Sequence, residues 1–213
     1  MRFRLGPVPD DPEFDTADGG WIRLKELRFS LMLLMVIPVS VLLVAGLSSA
    51  WAVVLRLQGA SSAAEGAVTP AVAAFLVLGC GAIIVAHESV HLLALPRLGL
   101  TDDTVLGFWP QTFTPYVSYE GETSRARQLL VGLAPFLVLS IAPLLAGIVL
   151  GPTPFWVVVV SLLNGLGASA DLVGAALVAW QVPAQGRVRS KGLATWWRVP
   201  TTGEYSDSGI RDV

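Results

Sequence analysis

The sequence is poor in charge, in histidine and in cysteine. Only 14% of its 213 residues are Asp, Glu, Lys or Arg, against a hydrophobic content of 54%. A soluble domain carries about a quarter charged residues, so an ordinary water-soluble fold is excluded. One cysteine, Cys80, excludes an internal disulfide framework and any multi-cysteine zinc module. A formal net charge of -2 argues against a nucleic-acid partner, which calls for a basic face.

What is there is long apolar runs. Residues 29–55 carry no charged side chain, and 126–170 carry only Arg127. Both stretches exceed the roughly 20 residues that cross a bilayer. We expect four spans: 29–55, 70–95, 129–150 and 155–182. A polar link with Arg56, Gln58 and Glu65 separates the first two, and Gly151-Pro152-Thr153-Pro154 breaks the chain between the last two. The first run follows a long acidic tail and exceeds a secretory h-region, so it is read as a retained span.

With four spans, the N-terminal tail, the loop from Arg97 to Arg125 and the C-terminal tail share one side. Of the 14 Lys and Arg residues, Arg56 alone lies on the other side, which makes both termini cytoplasmic. The expected fold is an all-α integral membrane protein, a single membrane domain over 1–213. It divides into a cytoplasmic tail (1–26), a four-helix core (27–183) and a partly disordered cytoplasmic tail (184–213). Residues 104–119 are β-branched and aromatic and contain Pro110 and Pro115, so a short hairpin is expected there, a candidate edge for pairing with substrate. The tails read as accessory, with Trp21, Trp196 and Trp197 as interfacial anchors and a polar, disordered stretch beyond Val199. No internal repeat is present.

The second span reads Ala86-His87-Glu88-Ser89-Val90-His91, an H-E-x-x-H pattern. Residues four apart on a helix share a face about 6 Å from each other, so both imidazoles can reach one metal ion. Glu88 can then take the proton of a metal-activated water as it attacks a carbonyl. With two histidines in the chain, chance yields this pattern in roughly one shuffle in several thousand. The bland reading places these residues at a helix end among headgroups and water. Against it stands the cost of an ionisable group deep in a span, about 2.5 to 3.5 kcal/mol.

Two histidines leave zinc one ligand short of a catalytic set. Asp171 is the acidic residue of the fourth span. It lies eleven residues above Val182, as His87 lies ten above Arg97, so both sit roughly 15 Å deep. The alternative is that Asp171 pairs with a polar group to stabilise the bundle. Asn164, two turns before Asp171, faces the same way; it either binds substrate backbone or makes an interhelical hydrogen bond. Gly165, Gly167, Ala168, Ser169 and Ala170 allow close helix approach and lack the third glycine of a nucleotide fingerprint. Cys80 lies roughly 10 Å from His87 along the helix axis and reads as a buried packing residue.

These residues resemble the putative zincin peptidases, small prokaryotic membrane proteins distantly similar to site-two proteases. The resemblance rests on His87-Glu88-Ser89-Val90-His91, on residues 125–139 with Leu133-Ala134-Pro135-Phe136, and on Asn164 and Asp171. It spans roughly the second to fourth spans. It implies zinc held by His87, His91 and Asp171, with Glu88 as general base. In site-two proteases the aspartate is followed by glycine in a motif containing Asn and Pro, whereas Leu172 follows Asp171 here.

The expected function is therefore a zinc-dependent, membrane-embedded peptidase. Its catalytic residue is Glu88, its Zn2+ ligands are His87, His91 and Asp171, and Asn164 binds substrate. Its partners are a membrane-anchored protein or peptide substrate and the lipid bilayer, with no nucleic acid. The competing class is a non-catalytic metal-binding regulator or transporter. The apolar runs of spans one and three offer no ionisable residue to line a transport path, and a passive binder has no use for Glu88. Iron or cobalt would suit similar ligands.

Overall fold

Apolar runs become helices because in lipid each backbone amide and carbonyl must find its partner within the segment. The computed structural model describes residues 1–26, 29–59 and 70–200, with the backbone alone at 29, 30, 33 and 70–78. Glu65 and the expected disorder beyond 200 lie outside the described residues. Six helices follow: α1 (Phe29–Leu57), α2 (Pro70–Ala94), α3 (Arg125–Phe136), α4 (Ala142–Leu150), α5 (Phe155–Gly167) and α6 (Ser169–Gln181). A single π-helical turn, Leu137–Ile141, joins α3 to α4 into one rod. The proline-rich break falls where expected, between α4 and α5.

Among the described residues two helices are long and apolar enough to cross a membrane, the α1 stretch Leu34–Leu57 and the α3–α4 rod Arg125–Leu150. A third is the α5–α6 pair if its halves, bent by 49° at Ala168, form one span. Within α2 the described apolar stretch is Gly79–Ala94. Outward side chains are strongly apolar: Leu42, Val149, Leu150 and Phe155 are all more than 70% exposed, as suits lipid contact.

The all-α expectation needs correction. The described residues are mostly helical, at 56%, but they also build seven short strands in two sheets. The first sheet has the order β1-β3-β4, with β1 (Arg2–Leu5), β3 (Thr104–Trp109) and β4 (Thr114–Tyr119). Here β3 and β4 are the expected hairpin, and β1 from the N-terminal tail runs parallel to β3. The second sheet has the order β2-β7-β6-β5, with β2 (Ile22–Arg23), β5 (Thr123–Ser124), β6 (Arg187–Lys191) and β7 (Ala194–Arg198).

The tails are thus structural rather than accessory. Trp196 and Trp197 lie in β7, opposite Arg23 and Ile22 of β2, and Trp21 meets Phe14 edge-on. Composition hid this because each strand of the tails is short and carries charge, and, the local β6–β7 hairpin apart, pairing supplied by distant segments leaves no local pattern. The sheets also join the N-terminal tail, the 97–125 loop and the C-terminal tail to one another.

Two kinds of contact hold the assembly. Beneath the second sheet, Leu24, Val178, Val182 and Val188 are each at most 4% exposed and pack together. Burial of such side chains contributes about 1.5 to 3 kcal/mol apiece where the alternative is water. Among the helices lipid is as apolar as leucine, so close packing and polar pins carry association. Ser40 Oγ donates to Ser169 Oγ (2.8 Å), Trp51 Nε1 to Ser161 Oγ (2.9 Å) and Gln58 Nε2 to the Gly147 carbonyl (2.7 Å). Gly165 lets α1 approach α5: a Cβ there would lie 2.4 Å from Leu47 Cδ1.

Candidate metal centre

His87 and His91 stand one turn apart on α2, with ring centroids 4.8 Å apart and planes edge to face. Asp171 reaches them from the first turn of α6, where a carboxylate also suits the helix dipole. Three atoms converge. His87 Nε2 lies 3.0 Å from Asp171 Oδ2, His91 Nε2 lies 3.5 Å from that oxygen, and the two Nε2 atoms are 3.1 Å apart.

Partners at the far side of each ring determine what those nitrogens present. His91 Nδ1 lies 2.9 Å from the Val131 carbonyl, which can only accept, so Nδ1 carries the proton. That carbonyl is free for the purpose because the residue four further on, Pro135, has no N–H to bond it. His87 Nδ1 lies 2.9 Å from Asn164 Oδ1. In the neutral rings both Nε2 atoms therefore bear lone pairs, directed at each other and at a carboxylate oxygen.

Three acceptors converging without a donor fit a cation. For Zn–N and Zn–O bonds of 2.0 to 2.2 Å, tetrahedral ligand atoms stand about 3.3 to 3.6 Å apart; the three separations here, 3.0 to 3.5 Å, approach that spacing. Rings held through their far nitrogen are also the usual arrangement behind a metal-binding histidine. His87, His91 and Asp171 are the His/Cys/Asp/Glu group with metal-ligand spacing among the described residues.

Glu88 projects beside the histidines into a cleft of about 450 Å³. Its Oε2 accepts a hydrogen bond of 3.0 Å from the backbone amide of Val117 in β4. Glu88, His91 and Asp171 line the cleft together with the whole of β4, Gly132 and Gly174, and the turn before β7 at Gly192 and Leu193. One edge of β4 is paired with β3 and the other faces the cleft.

The helices are clamped around this site at their ends. Ser124 caps α3, accepting from the Arg127 amide. Arg127 Nη1 donates to the Ala94 carbonyl at the end of α2 (3.4 Å), and Arg125 Nη2 donates to the Ala179 carbonyl near the end of α6 (2.8 Å). Cations thereby satisfy two helix C-termini and hold α2, α3 and α6 in register.

Asn164 sits at the end of α5, 1% exposed and outside the lining of the cleft. It was expected on one continuous helix with Asp171. The bend at Ala168 separates them, yet both reach His87, one at each ring nitrogen. Cys80 is exposed. Sequence reasoning missed the Val117 amide, the Val131 carbonyl and Pro135. The last did leave a trace, a proline within an apolar run four residues after Val131.

A family model described as putative zincin peptidase matches residues 80–186, a stretch that takes in His87, Glu88, His91, Asn164 and Asp171. No curated protein and no solved structure matches the chain.

Proposed function

The chain belongs to the putative zincin peptidase family, and from that premise we propose that it is a zinc-dependent peptidase acting on membrane-associated protein or peptide substrates. The observation that carries this reading is the meeting of three lone-pair-bearing atoms within 3.5 Å of one another beside Glu88, whose carboxylate shares a cleft with His91 and Asp171. His87, His91 and Asp171 would hold the ion. When bound, zinc supplies Lewis acidity, polarising a carbonyl and making water nucleophilic near neutral pH.

The chain's own residues do the rest. Glu88 takes the proton of the attacking water on Oε1 while Oε2 stays anchored to the Val117 amide, and then returns that proton to the leaving amine nitrogen. A substrate in extended form lies along the cleft-facing edge of β4, where main-chain pairing gives affinity without demanding a particular sequence. A helical substrate must unwind to do so, because its peptide groups are otherwise engaged within the helix.

The bilayer topology belongs to the same proposal. Four crossings, by α1, α2, the α3–α4 rod and the α5–α6 pair, return the N-terminal tail, the 97–125 loop and the C-terminal tail to one side. The pairing of these three segments in two sheets supports that count, and the excess of Lys and Arg on that side supports a cytoplasmic location.

Metal content of the detergent-purified protein tests the reading. About one zinc per chain is expected, with His91→Ala and Asp171→Ala losing it. A wild-type protein that takes up no zinc under replete conditions would leave the three residues as a polar packing cluster and end the peptidase reading.

A further inference from the structure

The same geometry assigns Asn164 a different task from substrate contact. We propose that Asn164 is a positioning residue for the metal centre: it locks His87 in the tautomer that turns Nε2 toward the ion, and a buried polar chain ending at Trp51 locks Asn164 in turn. This inference rests on the zinc reading above for its purpose, though not for its geometry.

Each link has its direction forced by a group that can act in one sense only. Trp51 Nε1 is a donor and gives its hydrogen to Ser161 Oγ (2.9 Å). Ser161 Oγ donates to the Ser140 carbonyl (3.0 Å), and Ser140 Oγ donates to the Ser161 carbonyl (2.8 Å). With its proton used there, Ser140 Oγ accepts from Asn164 Nδ2 (2.8 Å). The Pro135 carbonyl, acceptor only, takes the second Asn164 Nδ2 hydrogen (2.9 Å). The amide cannot flip without setting its oxygen against that carbonyl and losing both bonds.

Asn164 Oδ1 is thereby aimed at His87 Nδ1, 2.9 Å away. An amide oxygen only accepts, so Nδ1 donates to it; with a cation rather than a proton between Nε2 and the acceptor Asp171 Oδ2, the Nε2 lone pair is left for that ion. The chain is dry: Trp51 is 1% exposed, Ser140 and Ser161 0%, and Asn164 1%. No water competes to reorient it, and a link broken there strands buried polar groups.

Such a fixed chain reaches from α1 through the π-helical turn and α5 to α2. The π-helical turn serves it directly, since Ser140 lies within that turn and Pro135 just before it. Outer partners of metal-binding histidines typically alter metal affinity by about 10- to 100-fold.

The test uses full-length protein in detergent. Metal-free protein labelled with ¹⁵N-histidine should show the His87 ring protonated at Nδ1 in its neutral form. Zinc affinity, read by competition with a chromophoric chelator, should fall about 10- to 100-fold in Asn164→Leu. Asn164→Asp keeps an acceptor for His87 Nδ1–H but gives up the donors to Pro135 and Ser140, and should recover most of that loss. A residue that served packing alone would leave Asn164→Asp as weak as Asn164→Leu, and that result overturns the proposal. So does a wild-type His87 protonated at Nε2, whatever the variants do. Should the wild type bind no zinc while its His87 tautomer still depends on Asn164, the metal reading falls and the positioning role stands.

Discussion

Glu88→Gln separates the chemistry from the architecture. In the structure one carboxylate oxygen is occupied by the Val117 amide at 3.0 Å, and the other is the one we assign to the proton. Glutamine keeps a carbonyl oxygen for Val117, so the attachment of β4 to α2 should persist, but it cannot accept and return a proton. A general base contributes about 10²- to 10⁴-fold, or about 3 to 5 kcal/mol of barrier. Glu88 is outside the ligand set, so zinc content should stay at the wild-type level. Glu88→Ala is the contrasting variant. It also strands the Val117 amide, at a cost of about 1 to 3 kcal/mol where that amide is shielded from water, and should loosen β4 as well as abolish cleavage. The assay is cleavage of a generic membrane-anchored substrate by reconstituted protein, run beside metal analysis and hydrogen exchange at residues 114–119. A zinc-loaded Glu88→Gln protein that cleaves at the wild-type rate would refute the assignment of Glu88 as base.

Two further outcomes follow from the packing. Trp51→Phe removes the N–H that pins α1 to Ser161 and also leaves a void where the larger indole packs against Gly147; a loss of unfolding free energy of about 0.5 to 3 kcal/mol in detergent is expected, and unchanged stability would show that neither the bond nor the packing of Trp51 holds α1. Arg189 holds the N-terminal segment through Asp11 (2.8 Å) and by stacking 4.3 Å from the centre of the Phe14 ring. Arg189→Ala should speed proteolytic cutting within residues 6–21 without releasing zinc, and an unchanged cutting pattern would show that the strands alone hold this segment.

That His87, His91 and Asp171 converge was legible in the sequence because helical periodicity is a local rule. His87 and His91 share a face wherever the helix goes, and the depths of His87 and Asp171 follow from rise per residue once two antiparallel spans are granted. The same economy of signal made the 104–119 hairpin and the break at 151–154 readable. What stayed hidden depends on contacts between segments far apart in the chain. The strands β1 and β2 take their order from partners about 100 residues or more distant, and no single segment records that pairing; the β6–β7 hairpin over 187–198 is local and was missed because its charged residues read as a polar tail.

The role of Asn164 shows the division most sharply. The sequence by itself determined that an amide stands two turns before the aspartate, on a helix lined with small residues. Only the tertiary structure decided which way that amide turns, because the deciding groups are the Pro135 carbonyl and the Ser140 hydroxyl on another rod. Likewise a proline in an apolar run predicts a carbonyl without its amide, but not that the carbonyl meets His91. Residue spacing dictates what one helix can present; the direction of a buried hydrogen bond is dictated by its neighbours, and those are chosen by the fold.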